Sequence, residues 1–468
     1  MKKTCNTQKK QPSILSAFSF RWLFIVLAII TSCQITYAQS WVNVGSPGCS
    51  PAEGYYTSVT IDGSGTPYIV YVDGSHNYRA TVMKYNGSNW VTVGSPGFTD
   101  SNALFTSIVI DGSGTPYVAI DDNSNGISRG ATVMKYNGSN WVGVGSPRFG
   151  GVIANFISMA IDGSGTPYVV YMNGGTSANG AMVLKYNGGN WDTVGVPQFS
   201  AGAAYYTSIA IDGSGTPYVV YLDCGNSKKA TVMKYNGSSW VNVGSAGFSA
   251  GPATYTTITI NGSGTPYVAY SDSVNNWKTT VMKYNGSSWI TVGSPGFSAG
   301  AAVEVSIAID GSGIPYVTYQ DGGNGTKATV MKYNGTAWVN VGSAGFSAGH
   351  AAYTSIAIDG SGTPYVAYSD SVNSYKATVM KLGWPAEVNN ITNPTTTSLT
   401  VFPNPATTSI TVTSTNMINQ VTISNLIGQT VYSNLYSTQQ VQVDVADLPV
   451  GIYFVKVNGT AVRKFMKE

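Results

Sequence analysis

Several short patterns in this chain have the residue types that perform chemistry. Gly247-Phe248-Ser249-Ala250-Gly251 has the spacing of a nucleophile elbow, and it recurs at Gly296–Gly300 and Gly345–Gly349. An elbow needs a strand-to-helix turn, an acid and a histidine. The chain holds only His76 and His350, and the pattern lies three times between strand-like segments, so a hydrolase is set aside. The acid of Asp-Gly-Ser-Gly invites a calcium site at Asp62, Asp111, Asp162, Asp212, Asp310 and Asp359. A calcium loop needs several acidic oxygens at set spacing, and this loop has one. The fifth copy has Asn261, which keeps the side-chain oxygen and loses the charge. A turn cap tolerates that exchange, so these seven positions read as structural caps, with no metal and no cofactor.

A second row of acids comprises Asp73, Asp122, Asp223, Asp272, Asp321 and Asp370. Each faces a base across a short turn: Arg79, Arg129, Lys229, Lys278, Lys327 or Lys376. The third copy has Asn173 and Asn179, losing both charges together. That joint loss predicts a cross-strand ion pair rather than a ring of ligands. Glu53, Asp100, Arg148, Glu304 and His350 break the repeat and would carry any catalysis. Glycosidase chemistry would need two carboxylates a few ångströms apart. Aromatics also recur: Phe98, Phe149, Phe199, Phe248, Phe297 and Phe346 in the links, then Tyr56, Phe105, Phe156, Tyr206, Tyr255 and Tyr353 at strand starts, with Glu304 in the sixth copy. They predict packing between units, or a repeated sugar site if exposed.

The element that positions all of these is a repeat built on Ile-Asp-Gly-Ser-Gly-Thr-Pro-Tyr. Its seven copies begin at Ile61, Ile110, Ile161, Ile211, Ile260, Ile309 and Ile358. A period near 50 residues points to a solenoid or a propeller. In the fourth copy, Tyr206–Ile211 alternates as a strand and Asp212-Gly213-Ser214-Gly215 makes a hairpin. Thr216–Asp223 is a second strand and Ala230–Tyr235 a third. Asn236-Gly237 is a tight turn, and Trp240–Val243 is the fourth strand. Three short turns and one long link describe a propeller blade. The hairpin resembles the strand pairs of NHL-type and related propellers.

There are seven first, second and third strands, and fourth strands open at Trp41, Trp90, Trp141, Trp191, Trp240, Trp289 and Trp338. The array thus starts with a lone fourth strand and ends with a third. The expected fold is all-β: a seven-bladed β-propeller over residues 39–384, closed by the N-terminal strand Trp41–Val44, which leaves no free edge at the join.

The formal charge of +3 comes from 24 basic and 21 acidic residues. Residues 1–38 carry Lys2, Lys3, Lys9, Lys10 and Arg21 and no acid, so the remainder is near −2. No basic face for nucleic acid is implied. The apolar run Trp22–Ile30 is too short to span a bilayer. Residues 1–38 read as a signal peptide cleaved after Ala38. The alternative is lipidation at Cys33, since Ile30-Thr31-Ser32-Cys33 is similar to a lipoprotein box. Cys49 and Cys224 stand in non-neighbouring repeats and predict no disulfide.

Residues 385–398 are rich in Asn, Thr and Pro and read as a linker. Residues 399–468 alternate as short strands, expected to form a small β-sandwich. Three motifs and the chain end stand out there. They are Val401-Phe402-Pro403-Asn404-Pro405, then Val421–Gln429 with Gly428, then Leu448-Pro449-Val450-Gly451-Ile452-Tyr453, and lastly Lys464-Phe465-Met466-Lys467. In that order they resemble the type A C-terminal sorting domains of the type IX secretion system of Bacteroidetes. The resemblance implies a secreted or surface protein of a Gram-negative bacterium. It implies two partners, the outer-membrane translocon and its sorting peptidase, with cargo released or attached to lipopolysaccharide. Asp272-Ser273-Val274 and Asp370-Ser371-Val372 are similar to an O-glycosylation motif of the same group.

The reading that joins these observations is a non-catalytic propeller that binds glycans or proteins. A glycan-active enzyme and an inert surface component are the alternatives. No transmembrane span is expected in the mature chain.

Overall fold

The computed structural model describes residues 39–124, 128–150, 153–175, 178–383, 399–425, 429–459 and 461–468. The signal segment with Cys33, Trp384, the linker 385–398 and Gly428 of the sorting motifs lie outside the described residues. The chain divides into two compact units, Met1–Pro385 and Ala386–Glu468.

The first unit is seven four-stranded antiparallel sheets. Sheet 1 runs Gly54–Ile61, Pro67–Asp73, Arg79–Tyr85 and Trp90–Thr92. Sheet 4 runs Ala204–Ile211, Pro217–Asp223, Lys229–Tyr235 and Trp240–Asn242. Five of the seven second strands, such as Pro217–Asp223, are buried along their whole length. Their Tyr-Val-Val-Tyr character follows, since a strand covered on both faces has no polar side to show water.

Turn chemistry sets the hairpins. Asp62 Oδ1 accepts from the Ser64 and Thr66 N–H groups, both at 2.9 Å, and from Ser64 Oγ at 2.6 Å. Gly65 supplies the left-handed residue at φ +85°. Asn261 makes the same three bonds, to Ser263 N, Ser263 Oγ and Thr265 N. The acid is therefore a turn cap, as its replacement by asparagine predicts.

Sheet 7 has three strands from its own repeat, and Ser40–Asn43 supplies the fourth. The register pairs Trp41 with Leu382 and Val42 with Lys381. Each sheet packs on the next through one apolar cluster. Val70, Val72 and Val82 of sheet 1 meet Ile108, Val118 and Ile120 of sheet 2. A like cluster lies between the first and last sheets: Val59, Ile69 and Tyr71 of sheet 1 meet Tyr365, Ala367 and Val379 of sheet 7.

At the outer edge, every fourth-strand tryptophan reaches back to the unit before it. Trp240 Nε1 donates to the Val194 carbonyl at 2.7 Å, and Trp289 to Val243 at 2.7 Å. Trp41 donates to Val341 and Trp90 to Val44, at 2.7 and 2.6 Å. The glycine after each such valine sits beneath the indole. At Gly244 φ is +72°, and a Cβ would lie 3.1 Å from Trp289 Cδ1. Only glycine meets both demands.

The second unit is one five-stranded sheet, Leu399–Phe402, Ser409–Asn425, Thr430–Asp444, Gly451–Val457 and Ala461–Lys467. Where the sequence led to the expectation of a small β-sandwich, the hydrogen bonds join all five strands into this one sheet around a single core. The 17-residue strand Ser409–Asn425 pairs with Leu399–Phe402 at its start and with Gly451–Val457 at its end. Its pairing to Thr430–Asp444 shifts register between Thr413 and Ile418. That irregularity puts Ile410 and Val412, then Val421 and Ile423, into one core.

The seam tryptophans generate a test. Trp240→Phe removes the buried donor and leaves the Val194 carbonyl unpaired. It is expected to cost about 1–3 kcal/mol, read as a lower urea midpoint, whereas Val241→Ala on the outer strand shifts it little.

Candidate functional site

The first strand of every repeat sheet carries a bulge near its start. In sheet 1 the register slips between Tyr55 and Ser58, and Tyr56 takes φ +51°. The equivalent residues are Phe105, Phe156, Tyr206, Tyr255, Glu304 and Tyr353, all at φ between +49° and +56°. A left-handed backbone costs a non-glycine residue about 1–2 kcal/mol. What offsets it is the neighbour. Thr207 Oγ1 donates to the Phe156 carbonyl at 2.6 Å, Thr256 to Tyr206 at 2.7 Å and Thr57 to Tyr353 at 2.5 Å. Thr354 donates to Glu304 at 2.7 Å.

The bulge aims these side chains at one another. Ring centroids run Tyr353–Tyr56 4.6 Å, Tyr56–Phe105 5.0 Å, Phe105–Phe156 5.1 Å, Phe156–Tyr206 4.9 Å and Tyr206–Tyr255 4.8 Å. Successive planes are inclined by 44–52°. Glu304 takes the seventh place. Its Oε2 accepts the Tyr353 N–H. Burial pushes its carboxyl up to about 7, against the pull of the Tyr353 and Thr354 N–H groups. Burial, with the neighbouring phenol of Tyr56 and Glu304 itself, raises the Tyr353 hydroxyl to about 12.

The link phenylalanines form a separate set. Phe199 stacks on Trp240 at 4.1 Å and Phe248 on Trp289 at 4.3 Å. Phe98, Phe149, Phe297 and Phe346 stack likewise on Trp141, Trp191, Trp338 and Trp41. They are packing between sheets. Cys49 holds the phenylalanine place beside Trp90, and burial pushes its thiol up to about 12. Cys49 and Cys224 are both free.

The second row of acids overturns the expected ion pairs. Asp73 stands opposite Arg79 and Asp223 opposite Lys229 in register. Yet the ion pairs among the described residues are His76–Asp73, Arg129–Asp121 and Arg148–Asp122. The buried carboxylate instead caps the turn that follows. Asp223 Oδ1 accepts Gly225 N at 3.0 Å, and Oδ2 accepts Asn226 Nδ2 at 2.7 Å and Thr231 Oγ1 at 2.8 Å. Neutral donors satisfy it, and Lys229 opposite stays half-buried. In sheet 2, Arg129 bonds Asp121 at 2.5 Å, because the longer strands there pair Asn123 with Arg129.

The serine of Gly-x-Ser-x-Gly is structural. Ser249 Oγ accepts Ala230 N at 2.9 Å and donates to the Gly251 carbonyl at 2.7 Å. No hydrogen bond or ion pair joins any two of Glu53, Asp100, Arg148, Glu304 and His350 among the described residues. Arg148 meets Asp122, and His350 Nε2 lies 2.8 Å from Gln320 Nε2. Ser273 and Ser371 open short 3-10 turns capped by Asp272 and Asp370.

At the hairpin end of the sheets a groove recurs. Beside sheet 1 it is lined by Asp62, Ser64, Tyr68, Lys84, Tyr85 and Asn86, with Tyr365 and Lys381 of sheet 7, and measures about 580 Å³. Equivalent grooves of 470–620 Å³ stand beside sheets 2 to 5. Lys84 Nζ lies 5.9 Å from the Tyr68 ring centroid, and five other repeats copy this at 5.7–6.0 Å. Tyr85 is half-buried and Asn86 exposed. Sequence reasoning missed these grooves, although Lys-Tyr-Asn-Gly repeats visibly. No metal-holding group of three or more His, Cys, Asp or Glu occurs among the described residues.

In the second unit the sorting motifs meet. Asn404 Oδ1 accepts Met466 N at 2.9 Å, beside Pro403 and Pro405. Tyr453 donates to the Pro449 carbonyl at 2.8 Å and stacks on Phe465 at 5.6 Å. Leu448 N bonds the Val445 carbonyl, and Gly451 pairs with Lys467, whose neighbour three residues earlier is Lys464. The opening, Leu-Pro and terminal motifs are thus one structural cluster.

Residues 400–468 match the family of secretion system C-terminal sorting domains. Such a domain implies export through the type IX secretion system, to the cell surface or beyond. No curated protein matches the sequence. Among solved structures, PorZ, a surface component of the type IX secretion system of Porphyromonas gingivalis, is 13% identical with a TM-score of 0.45. That alignment covers 90% of this chain and 60% of PorZ. Aleuria aurantia lectin is 16% identical, covering 63% of this chain and 97% of the lectin, with a TM-score of 0.42. An α-L-arabinofuranosidase of Fusarium graminearum is 11% identical, covering 62% and 96%, with a TM-score of 0.41. Among the described residues no helix is long and apolar enough to cross a membrane.

Burial raises the carboxyls of Asp62, Asp111, Asp162 and Asp212, but hydrogen bonds from the capped serine and threonine outweigh it and hold them below the ordinary carboxylate range. A lowered folded-state pKa contributes stability above the unfolded value, lost as pH falls through the folded one. Replacing all four by Asn, as in the fifth repeat, is therefore expected to flatten the loss of stability below about pH 4, measured as urea midpoints at pH 7 and pH 3.

Proposed function

We propose that this chain is an exported seven-bladed β-propeller that binds extracellular glycans through a ring of like grooves, without catalysis. Residues 1–38 serve as the export signal, and residues 399–468 direct passage through the outer-membrane translocon and are removed by its sorting peptidase. The seven sheets form a ring that Ser40–Asn43 closes.

The observation that carries the binding reading is the repetition of one groove at the hairpin end. Each groove combines a half-buried tyrosine, a lysine, an asparagine amide and the hydroxyls of the turn. An aromatic face with amide and hydroxyl partners suits a sugar ring, whose C–H face is apolar and whose edge is polar. A ring of equal sites on one rigid scaffold suits a polymer with a repeating unit. Weak sites then add through effective concentration, to 10²–10⁴ above a single site. The five repeat-breaking residues come from five different repeats, and no hydrogen bond or ion pair joins any two of them among the described residues.

Affinity electrophoresis of the mature protein against a panel of polysaccharides tests this. Retardation by a polymer, with its free monosaccharide at least a hundredfold weaker, is the expected result. Lys→Ala at Lys84, Lys234 and Lys283 together should abolish retardation while far-ultraviolet circular dichroism stays unchanged. A panel that retards nothing sinks the reading. Mass analysis of the exported protein should show Gln39 as its first residue and an end before Leu399.

A further inference from the structure

The ring of innermost strands has one place unlike the others. Six of its seven bulge positions hold aromatic rings, each in ring contact with the next. Neighbours 4.6–5.1 Å apart and inclined by 44–52° present part of their faces to one another. The succession stops at Tyr255 and resumes at Tyr353. No ring contact joins those two, and Glu304 stands between them. Tyr255 keeps its contact with Tyr206, and Tyr353 keeps Tyr56 and an edge contact with Tyr55, so each lacks the ring neighbour that this place supplies elsewhere.

Glu304 shares the strained backbone of the other six, at φ +53°. It keeps the same carbonyl bond, from Thr354 Oγ1. Only the side chain differs, so the strand is built as elsewhere and one ring has been exchanged for a carboxylate. The carboxylate is held by Tyr353 N–H through Oε2 and is half-buried. No lysine, arginine or histidine pairs with it among the described residues. Two aromatic faces and one uncompensated carboxylate attract positive charge, the faces through their quadrupole and the carboxylate directly.

We infer that the gap between Tyr255 and Tyr353 is a binding site for an organic cation, an alkylguanidinium or alkylammonium group, with Glu304 as counter-ion. The site is distinct from the grooves at the hairpin end and stands whether or not those bind glycans. A planar guanidinium fits best, since it stacks between flat faces and bonds a carboxylate with two parallel N–H groups. The titratable groups around Glu304 are the phenols of Tyr56, Tyr255 and Tyr353, all pushed up by burial and neutral at pH 7. Asp121 reaches the set only through Tyr56. Because burial sets the carboxyl at about 7, a cation that needs its ionised form binds more tightly as pH rises from 6 to 8.

The test is saturation-transfer NMR on the full chain with methylguanidinium, and with N-methylurea as a neutral probe of like shape. Methylguanidinium is expected to bind and N-methylurea not. Glu304→Gln, which keeps size and removes charge, should weaken binding at least tenfold and erase its pH dependence. Glu304→Phe should fill the gap, abolish binding and raise Tm by completing the ring. Equal binding of the charged and neutral probes, unchanged binding in Glu304→Gln, or no binding of methylguanidinium by the folded protein at pH 8 would each overturn the inference. Should Glu304→Phe fail to fold, the Gln variant and the neutral probe decide the matter.

Discussion

The indole N–H bond from each outer-strand tryptophan to the valine of the preceding unit is the constraint on which the first unit depends. A four-stranded sheet of this size cannot bury two faces alone, and its neighbours must cover it. The innermost strands meet through threonine hydroxyls, and the outer edge is held by the tryptophan. Between them lies one apolar cluster per pair of sheets. The bond also explains two features of composition. The residue under the indole must be glycine in a left-handed conformation, and the link must return a phenylalanine to stack on the indole's face. Trp41 obeys the same rule toward Val341 although it lies 300 residues away. The N-terminal strand therefore meets the last sheet by the same physics that joins any two sheets.

Charge plays a small part in this architecture, and its few carboxylates act as hydrogen-bond acceptors. The half-buried acids cap hairpins, and the buried acids cap the turns at the other end of the second strand. The joint loss of Asp and Lys in the third repeat had predicted ion pairs. Asn173 sits in the buried place that the acid holds in the other repeats. A buried carboxylate needs its lone pairs filled, and neutral N–H and O–H groups do this without the cost of desolvating an ammonium.

The aromatic ring shows how a strained backbone is put to use. Seven non-glycine residues at positive φ would be a cost without return in an isolated strand. Here each bulge turns a side chain toward its neighbour, and five of the seven bulge carbonyls accept the hydroxyl of the next threonine, Ile157 and Val305 standing in that place elsewhere. Glu304 inherits that geometry without the aromatic ring that elsewhere fills it. The same economy appears in the second unit, where an irregular long strand lets one sheet close over its own core, and where Asn404 ties the opening motif to the terminal strand.

Sequence alone determined the all-β class, the number of repeats, the four strands of each and their turns. These features rest on local chemistry: glycines and asparagines at fixed offsets, alternation, and a tryptophan at each outer strand. The shifted register at the two ends also made the pairing of Trp41–Val44 with the last repeat legible. The sorting domain was legible for a like reason, since its motifs are short and ordered. Only tertiary structure decided which aromatics form seams and which form the inner ring, because Phe248 and Tyr255 look alike in spacing and differ in what they face. It alone placed the buried acids on turn donors, assembled the grooves from neighbouring repeats, and set Glu304 between two tyrosines 49 residues to either side. Contacts between repeats depend on the curvature of the whole array, and no window of one repeat contains it.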